Sequence, residues 1–157
     1  MLVYRIERTK YLETALTGIG AASSGGFRWN SKNTFMVYTS ESRALSLLEV
    51  TMHLDTSEDL PSDRNYLTIE IPDTVSIAEI KLEDLPENWD AKPPGLGTKF
   101  IGDDFILYKK AAVLKVPSCI VPSEYNYLIN PNHSESGNIK ILETQALQFD
   151  QRLKKQH

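Results

Sequence analysis

One cysteine, Cys119, and three histidines are all that this 157-residue chain offers as soft or imidazole ligands. A lone thiol closes no internal disulfide, and with no CxxC or HExxH pairing there is no zinc spacing, so neither a stapled secreted fold nor a built-in metal site is expected. Basic charge is also scarce. The 17 Lys plus Arg face 21 Asp plus Glu, and the net charge of −4 disfavours unspecific attraction to nucleic acid or to an anionic membrane. No apolar run approaches the ~18–20 residues that span a bilayer, and the opening MLVYRIERTK has no hydrophobic signal core, so the chain reads as cytosolic. Glycine and proline number only eight each, and no segment repeats or is of low complexity. What is present, 41% hydrophobic and 24% charged residues, is an ordinary globular composition at a length that suits one domain over residues 1–157. Residues 151–157 read as a short charged tail that frays.

Hydrophobic patterning alternates between the two periods. Residues 2–6 read as a strand and 9–16 as a helix stopped by Gly18. Residues 18–26, GIGAASSGG, hold four of the eight glycines and read as a permissive loop close to another surface or a ligand. A short strand over 35–38 precedes a half-buried helix through Ala44, Leu45, Leu48, Met52 and Leu54, with Ser40 and Ser42 as candidate N-caps. Residues 66–71 and 75–82 read as neighbouring strands of a meander, 85–97 as loop, and 98–109 as a surface helix that Asp103 and Asp104 would open. Extended segments follow over 113–121, 127–129 and 139–149, with Pro117 and Pro122 limiting the first to a bent or edge position. The expected class is α+β, a mixed or antiparallel sheet with flanking helices.

Three polar residues interrupt apolar or glycine-rich contexts. Arg28, in GGFRWN, is either a surface arginine stacked on an aromatic or, beside glycines that let backbone N–H groups approach, a planar clamp for an anion. Glu49, four residues after Leu45 and four before His53, is either a solvated helix glutamate paired with His53 or a carboxylate looking into a cleft. Ser118, after Pro117, is either an ordinary strand-end serine or a working hydroxyl. No GxSxG elbow surrounds it, and Cys119 would point to the opposite face of an extended segment, so a serine or cysteine hydrolase has little support. GIGAAS only superficially approaches a dinucleotide fingerprint: it follows a helix-like segment and lacks the third glycine, which rules out a Rossmann domain. Neighbouring Asp103 and Asp104 diverge in direction and have no joint acid–base role.

Taken in order, LTGIGA (16–21), GGFRWN (25–30), VYTS (37–40), LLE (47–49), VPS (116–118) and NYLINP (126–131) resemble the RES-domain family. The likeness runs from Tyr4-Arg5-Ile6 to Phe149-Asp150-Gln151-Arg152-Leu153. Its one departure is Ser31-Lys32-Asn33, where relatives often place a turn glycine; Asn33 tolerates positive φ, so the turn is expected to survive. The family is named for an arginine, a glutamate and a serine, which here match Arg28, Glu49 and Ser118. The resemblance implies a fold similar to ADP-ribosyltransferases and a bacterial toxin that consumes NAD⁺ as substrate, with no prosthetic group. It implies an active site of Glu49, Arg28, Tyr38 and Ser118, with Arg5, Trp29 and Asn126 in support. Arg28 would bind the pyrophosphate, Tyr38 stack near nicotinamide, and Ser118 position the ribose or Glu49. It further implies an Xre-like helix-turn-helix antitoxin that blocks the site and carries any contact with DNA, and leaves open a homodimer within that complex. The competing readings are a non-catalytic binding module of the same fold and a hydrolase using Ser118.

Overall fold

In the computed structural model, which describes residues 1–155, seven strands form one sheet in the order β6-β7-β8-β4-β1-β5-β9. These are β1 (Leu2–Arg8), β4 (Val37–Ser40), β5 (Arg64–Glu70), β6 (Ile77–Glu79), β7 (Val113–Pro117), β8 (Tyr125–Ile129) and β9 (Lys140–Leu147). A separate two-stranded hairpin joins β2 (Gly26–Phe27) to β3 (Asn30–Ser31). The helices are α1 (Ile19–Ser23), α2 (Arg43–Thr51) and α3 (Leu96–Tyr108). Every pair in the large sheet is antiparallel except β6 with β7. The expected α+β class with a mixed sheet and flanking helices is the observed one.

Strand alternation sends side chains to two faces, and each face has its own cover. Val3, Val37, Leu67, Ile69, Val113, Tyr127 and Ile129 face one way and pack with Leu12, Ala15, Leu16 and Ile139. Tyr4, Tyr38, Ser40, Asn126, Leu128, Leu114 and Val116 share the other face, because Tyr4 pairs with Ser40, Ser40 with Asn126, and Asn126 with Val116. There α2 covers β1 through Leu47 and Val50 on Ile6, and α3 covers β7 and β8 through Ile101, Phe105 and Ile106. The hairpin stands between the two helices.

Several elements differ from the sequence reading. Residues 9–14 form a 3₁₀ turn rather than an α-helix, and the glycine-rich stretch contains α1. Gly18 precedes α1 at φ 72°, and a Cβ there would lie 2.5 Å from the Met36 backbone nitrogen, so only glycine fits this close crossing. The expected meander does not form. Both edges of β5 are already taken by β1 and β9, so the chain crosses the sheet and β6 joins β7 in parallel at the far edge. That gives β7 partners on both sides; Pro117 is tolerated because it is the last residue of the strand and Pro122 lies beyond it. Of the two candidate caps, Ser42 is the one used, its Oγ accepting the Leu45 N–H at 3.0 Å. Asp103 and Asp104 sit well inside α3, not at its start. The tail through Lys155 is docked: Asp150 caps the 3₁₀ turn Gln151–Leu153, Lys154 pairs with Asp59, and the Lys155 N–H reaches the Thr56 carbonyl at 2.8 Å. Residues 156 and 157 of that expected tail lie outside the described residues.

Candidate active site

Glu49 is carried on α2 one turn after the fully buried Leu45, which turns it toward the end of the sheet where β4 finishes and β8 begins. Ser40 ends β4 and stands opposite Asn126, the second residue of β8. The Asn126 Nδ2 group donates to Glu49 Oε1 at 2.7 Å, and Asn126 Oδ1 accepts from Ser40 Oγ at 2.9 Å. The other carboxylate oxygen, Oε2, takes no hydrogen bond among the described residues. The half-buried Glu49 is therefore neither a solvated surface residue nor a partner of His53.

Tyr38 lies next to this group on the same face. Its Oη donates to Asn30 Oδ1 at 2.7 Å and accepts the Trp29 backbone N–H at 3.1 Å. Burial pushes the phenol far above the usual tyrosine range; the Trp29 N–H opposes that shift, and nearby Asp103, Arg28 and Glu49 act on it with their charges. Tyr38 is therefore neutral at every physiological pH. The Phe27 ring meets Tyr38 edge-on at 5.6 Å and lies 6.3 Å from the His53 ring, so one exposed hairpin side chain spans from Tyr38 to the end of α2.

The hairpin is fixed from below by Asn30, which is wholly buried. Its Nδ2 hydrogens are shared among the carbonyls of Ala21, Ser31 and Thr34, while Oδ1 accepts from the Phe27 N–H and Tyr38 Oη. Asn33 adopts φ 68°, as its turn requires. Asp103 binds the hairpin to α3, accepting from the Ser31 N–H at 2.9 Å and from Ser31 Oγ at 2.5 Å.

The remaining expected residues are placed differently from one another. Arg28 reaches toward the same region, but its guanidinium donates to the Trp89 carbonyl at 2.6 Å and twice to that of Ala91 at 3.2 Å, clasping the 89–91 loop. Trp29 is core, packed on Trp89 at 6.4 Å, and contributes its backbone N–H rather than its ring. Ser118 is buried in the turn after β7, where Oγ accepts the N–H groups of Ile120 and Val121, both at 3.1 Å. The chain is no longer extended there, so Ser118 and Cys119 do not alternate as strand neighbours would. Arg5 alternates onto the face of Val3, away from α2, and is held by Glu7 at 2.6 Å and by the Tyr38 carbonyl at 3.0 Å. Glu49, Asn126 and Tyr38 thus converge with Arg28 at their rim; Arg5 stands behind the sheet. Sequence reasoning gave no site role to Asn30, Ser40, Phe27 or Asp103, although Asn30, Phe27 and Ser40 lie inside the quoted motifs. Two hollows of about 320 and 330 Å³ flank α3 and include none of the converging residues.

Comparison with known proteins gives concordant matches. The RES domain family matches residues 2–150. The chain is 41% identical over 140 residues to the "Prs ADP-ribosylating toxin" of Sphingobium sp., covering 88% of this chain and 86% of that one. It is 36% identical over 155 residues to "Toxin Res" of Yersinia enterocolitica, covering 98% and 100%. "Toxin Res" of Pseudomonas putida is 39% identical over 142 residues, with coverages of 90% and 92%. Among solved structures, the M. tuberculosis MbcT–MbcA toxin–antitoxin complex contains a chain that superposes with a TM-score of 0.75 at 16% identity, over 93% of this chain and 83% of that one, a likeness of fold. With a family match over residues 2–150 and relatives at 36% and 41% identity covered over 86% or more of their length, the chain belongs to the RES domain family.

Proposed function

We propose that this protein is the toxin of a toxin–antitoxin pair and that it cleaves the nicotinamide–ribose bond of NAD⁺. The observation that carries the reading is the Glu49 carboxylate, held through one oxygen by Asn126 with the other left open, beside the neutral phenol of Tyr38. The names of its relatives, toxins in each case and ADP-ribosylating in one, supply the class.

Cleavage breaks the C–N bond with its electron pair going to the pyridinium nitrogen, so nicotinamide departs neutral and needs no proton from a general acid. The positive charge left on the ribose is stabilised by Glu49, which also binds a ribose hydroxyl through Oε2. An acceptor oxygen then bonds to the ribose carbon and loses its proton to Glu49 or to solvent. Water, phosphate and a protein side chain all satisfy this balance, giving a glycohydrolase, a phosphorylase or an ADP-ribosyltransferase. Tyr38, locked by Asn30 and Trp29, offers its remaining ring surface to nicotinamide. Arg28 reaches the pyrophosphate by exchanging the carbonyls of Trp89 and Ala91 for phosphate oxygens, which match its planar fork. Ser118 contributes through the 118–121 turn at the strand end beside Asn126. An antitoxin of the Xre helix-turn-helix type covers Glu49 and its surroundings and makes the contact with DNA.

The test is incubation of the purified protein, free of antitoxin, with NAD⁺, with and without phosphate, separating nicotinamide and ADP-ribose products by chromatography. Nicotinamide release that falls ~10²–10³-fold in Glu49→Gln, with unchanged circular dichroism, is the expected result. Equal release by the variant removes Glu49 from the reaction.

A further inference from the structure

Ser40 is buried, and the fold makes no use of it as a helix cap, since Ser42 fills that position. Its hydroxyl instead meets the amide of Asn126, and the chemistry of the three groups fixes the direction of both bonds. An ionised Glu49 only accepts, so the face of the Asn126 amide turned to it must be the NH₂. The carbonyl end must then face Ser40, which satisfies it as donor at 2.9 Å. If the amide turned over, its carbonyl oxygen would stand 2.7 Å from the Glu49 carboxylate, two electron-rich oxygens with no hydrogen between them. Glu49 alone selects the productive orientation by attraction. Ser40 adds a second selection from behind, and it does so from β4, one strand away and rigidly paired to β8 at this position.

We propose that Ser40 is a positioning residue for Glu49, acting through Asn126. It locks the amide so that Oε1 is held while Oε2 stays directed at the ligand, an inference that rests on the NAD⁺-cleaving role of Glu49. The relay joins three elements, β4, β8 and α2, and fixes the carboxylate relative to Tyr38, which stands two residues before Ser40 on the same strand face. Ground-state binding of NAD⁺ makes little use of that lock. The ribose charge that develops during cleavage depends on it, because stabilisation by a fixed carboxylate falls steeply with misalignment.

The experiment compares Ser40→Ala, Ser40→Cys and Ser40→Thr for nicotinamide release, together with the ¹⁵N–¹H signals of the Asn126 side-chain amide. Removing an outer group that orients a working one typically costs ~10–100-fold, so kcat should fall ~10-fold or more in Ser40→Ala while KM stays within about twofold. Ser40→Thr, which keeps the hydroxyl, should restore kcat, and Ser40→Cys, a weak donor of similar size, should not. The shifted amide signal of the wild type should move in Ser40→Ala toward its position in Glu49→Gln. Wild-type kcat in Ser40→Ala, or an equal loss in Ser40→Thr, overturns the proposal. Should Ser40→Ala fail to fold, the size-matched Ser40→Cys decides: a selective loss of kcat supports the relay and a wild-type kcat refutes it. If the wild type itself releases no nicotinamide, the functional reading fails, and the amide signal alone tests whether Ser40 sets the Asn126–Glu49 bond.

Discussion

Replacing Asn30 by alanine is the severest test of how the site is held. Five hydrogen bonds meet on this side chain, three donated to the carbonyls of Ala21, Ser31 and Thr34 and two accepted from the Phe27 N–H and Tyr38 Oη. Only part of that is lost on truncation. Groups that water can reach recover a partner, and the Ala21 carbonyl keeps its bond from Ser24 Oγ at 2.9 Å, whereas the Tyr38 O–H beneath the hairpin is left with no acceptor. At ~1–3 kcal/mol for the buried donor left unpaired and ~1 kcal/mol for the bond lost at the Ala21 carbonyl, Asn30→Ala should destabilise by about 2–4 kcal/mol. For a domain of this size, in which ~1 kcal/mol shifts Tm by ~2–4 °C, that is a fall of roughly 10 °C in thermal unfolding followed by circular dichroism. Asn30→Asp should not rescue it, because a carboxylate cannot donate to the Ala21 carbonyl. A loss below ~1 kcal/mol would show that the hairpin is held by packing rather than by this amide, and the account of Tyr38 as a residue locked from below would go with it.

Two further perturbations probe the frame. Tyr38 has its pKa raised by burial, so above pH ~10 the unfolded phenol ionises while the folded one stays protonated, the native state holds more protons, and stability falls as pH rises. Urea midpoints measured between pH 9 and 11 should decline less steeply in Tyr38→Phe, by up to ~1.4 kcal/mol per pH unit; parallel slopes would contradict the assigned burial. At Gly102, a Cβ would lie 1.7 Å from the Trp29 carbonyl oxygen, backbone that is also bound to Tyr38 through its N–H. Gly102→Ala should therefore cost ~1–3 kcal/mol by forcing α3 off the hairpin, and should lower NAD⁺ cleavage with it; an unchanged Tm and activity would mean α3 is free to move.

Much of the fold was legible because its causes are local. The alternation of β1 and β5, the helix around Leu45 with its Ser42 cap, the extended segments over 113–117 and 127–129, and a tolerated positive φ at Asn33 follow from side-chain period, capping chemistry and turn preference, which act over a few residues. The family motifs singled out Glu49, Tyr38 and Asn126, which the fold brings together. What the tertiary structure decided were partnerships across the chain. Whether β6 continues a meander or crosses to β7 depends on which sheet edges are still open, and no property of residues 77–79 encodes that. Asn126 and Glu49 are 77 positions apart, and Ser31 and Asp103 are 72, so only closure of the sheet makes them neighbours. Arg28 belongs to the same class: its motif specifies a guanidinium that wants planar acceptors, and the path of the 89–91 loop determines that the Trp89 and Ala91 carbonyls are the acceptors it meets. Sequence by itself determined the strands β1, β5, β7 and β8, the helix α2 and the chemical inventory. The pairing of β4 between β8 and β1, with α2 and the hairpin packed against one face, determined which of those groups share a site, because side-chain contact depends on distance in space rather than along the chain.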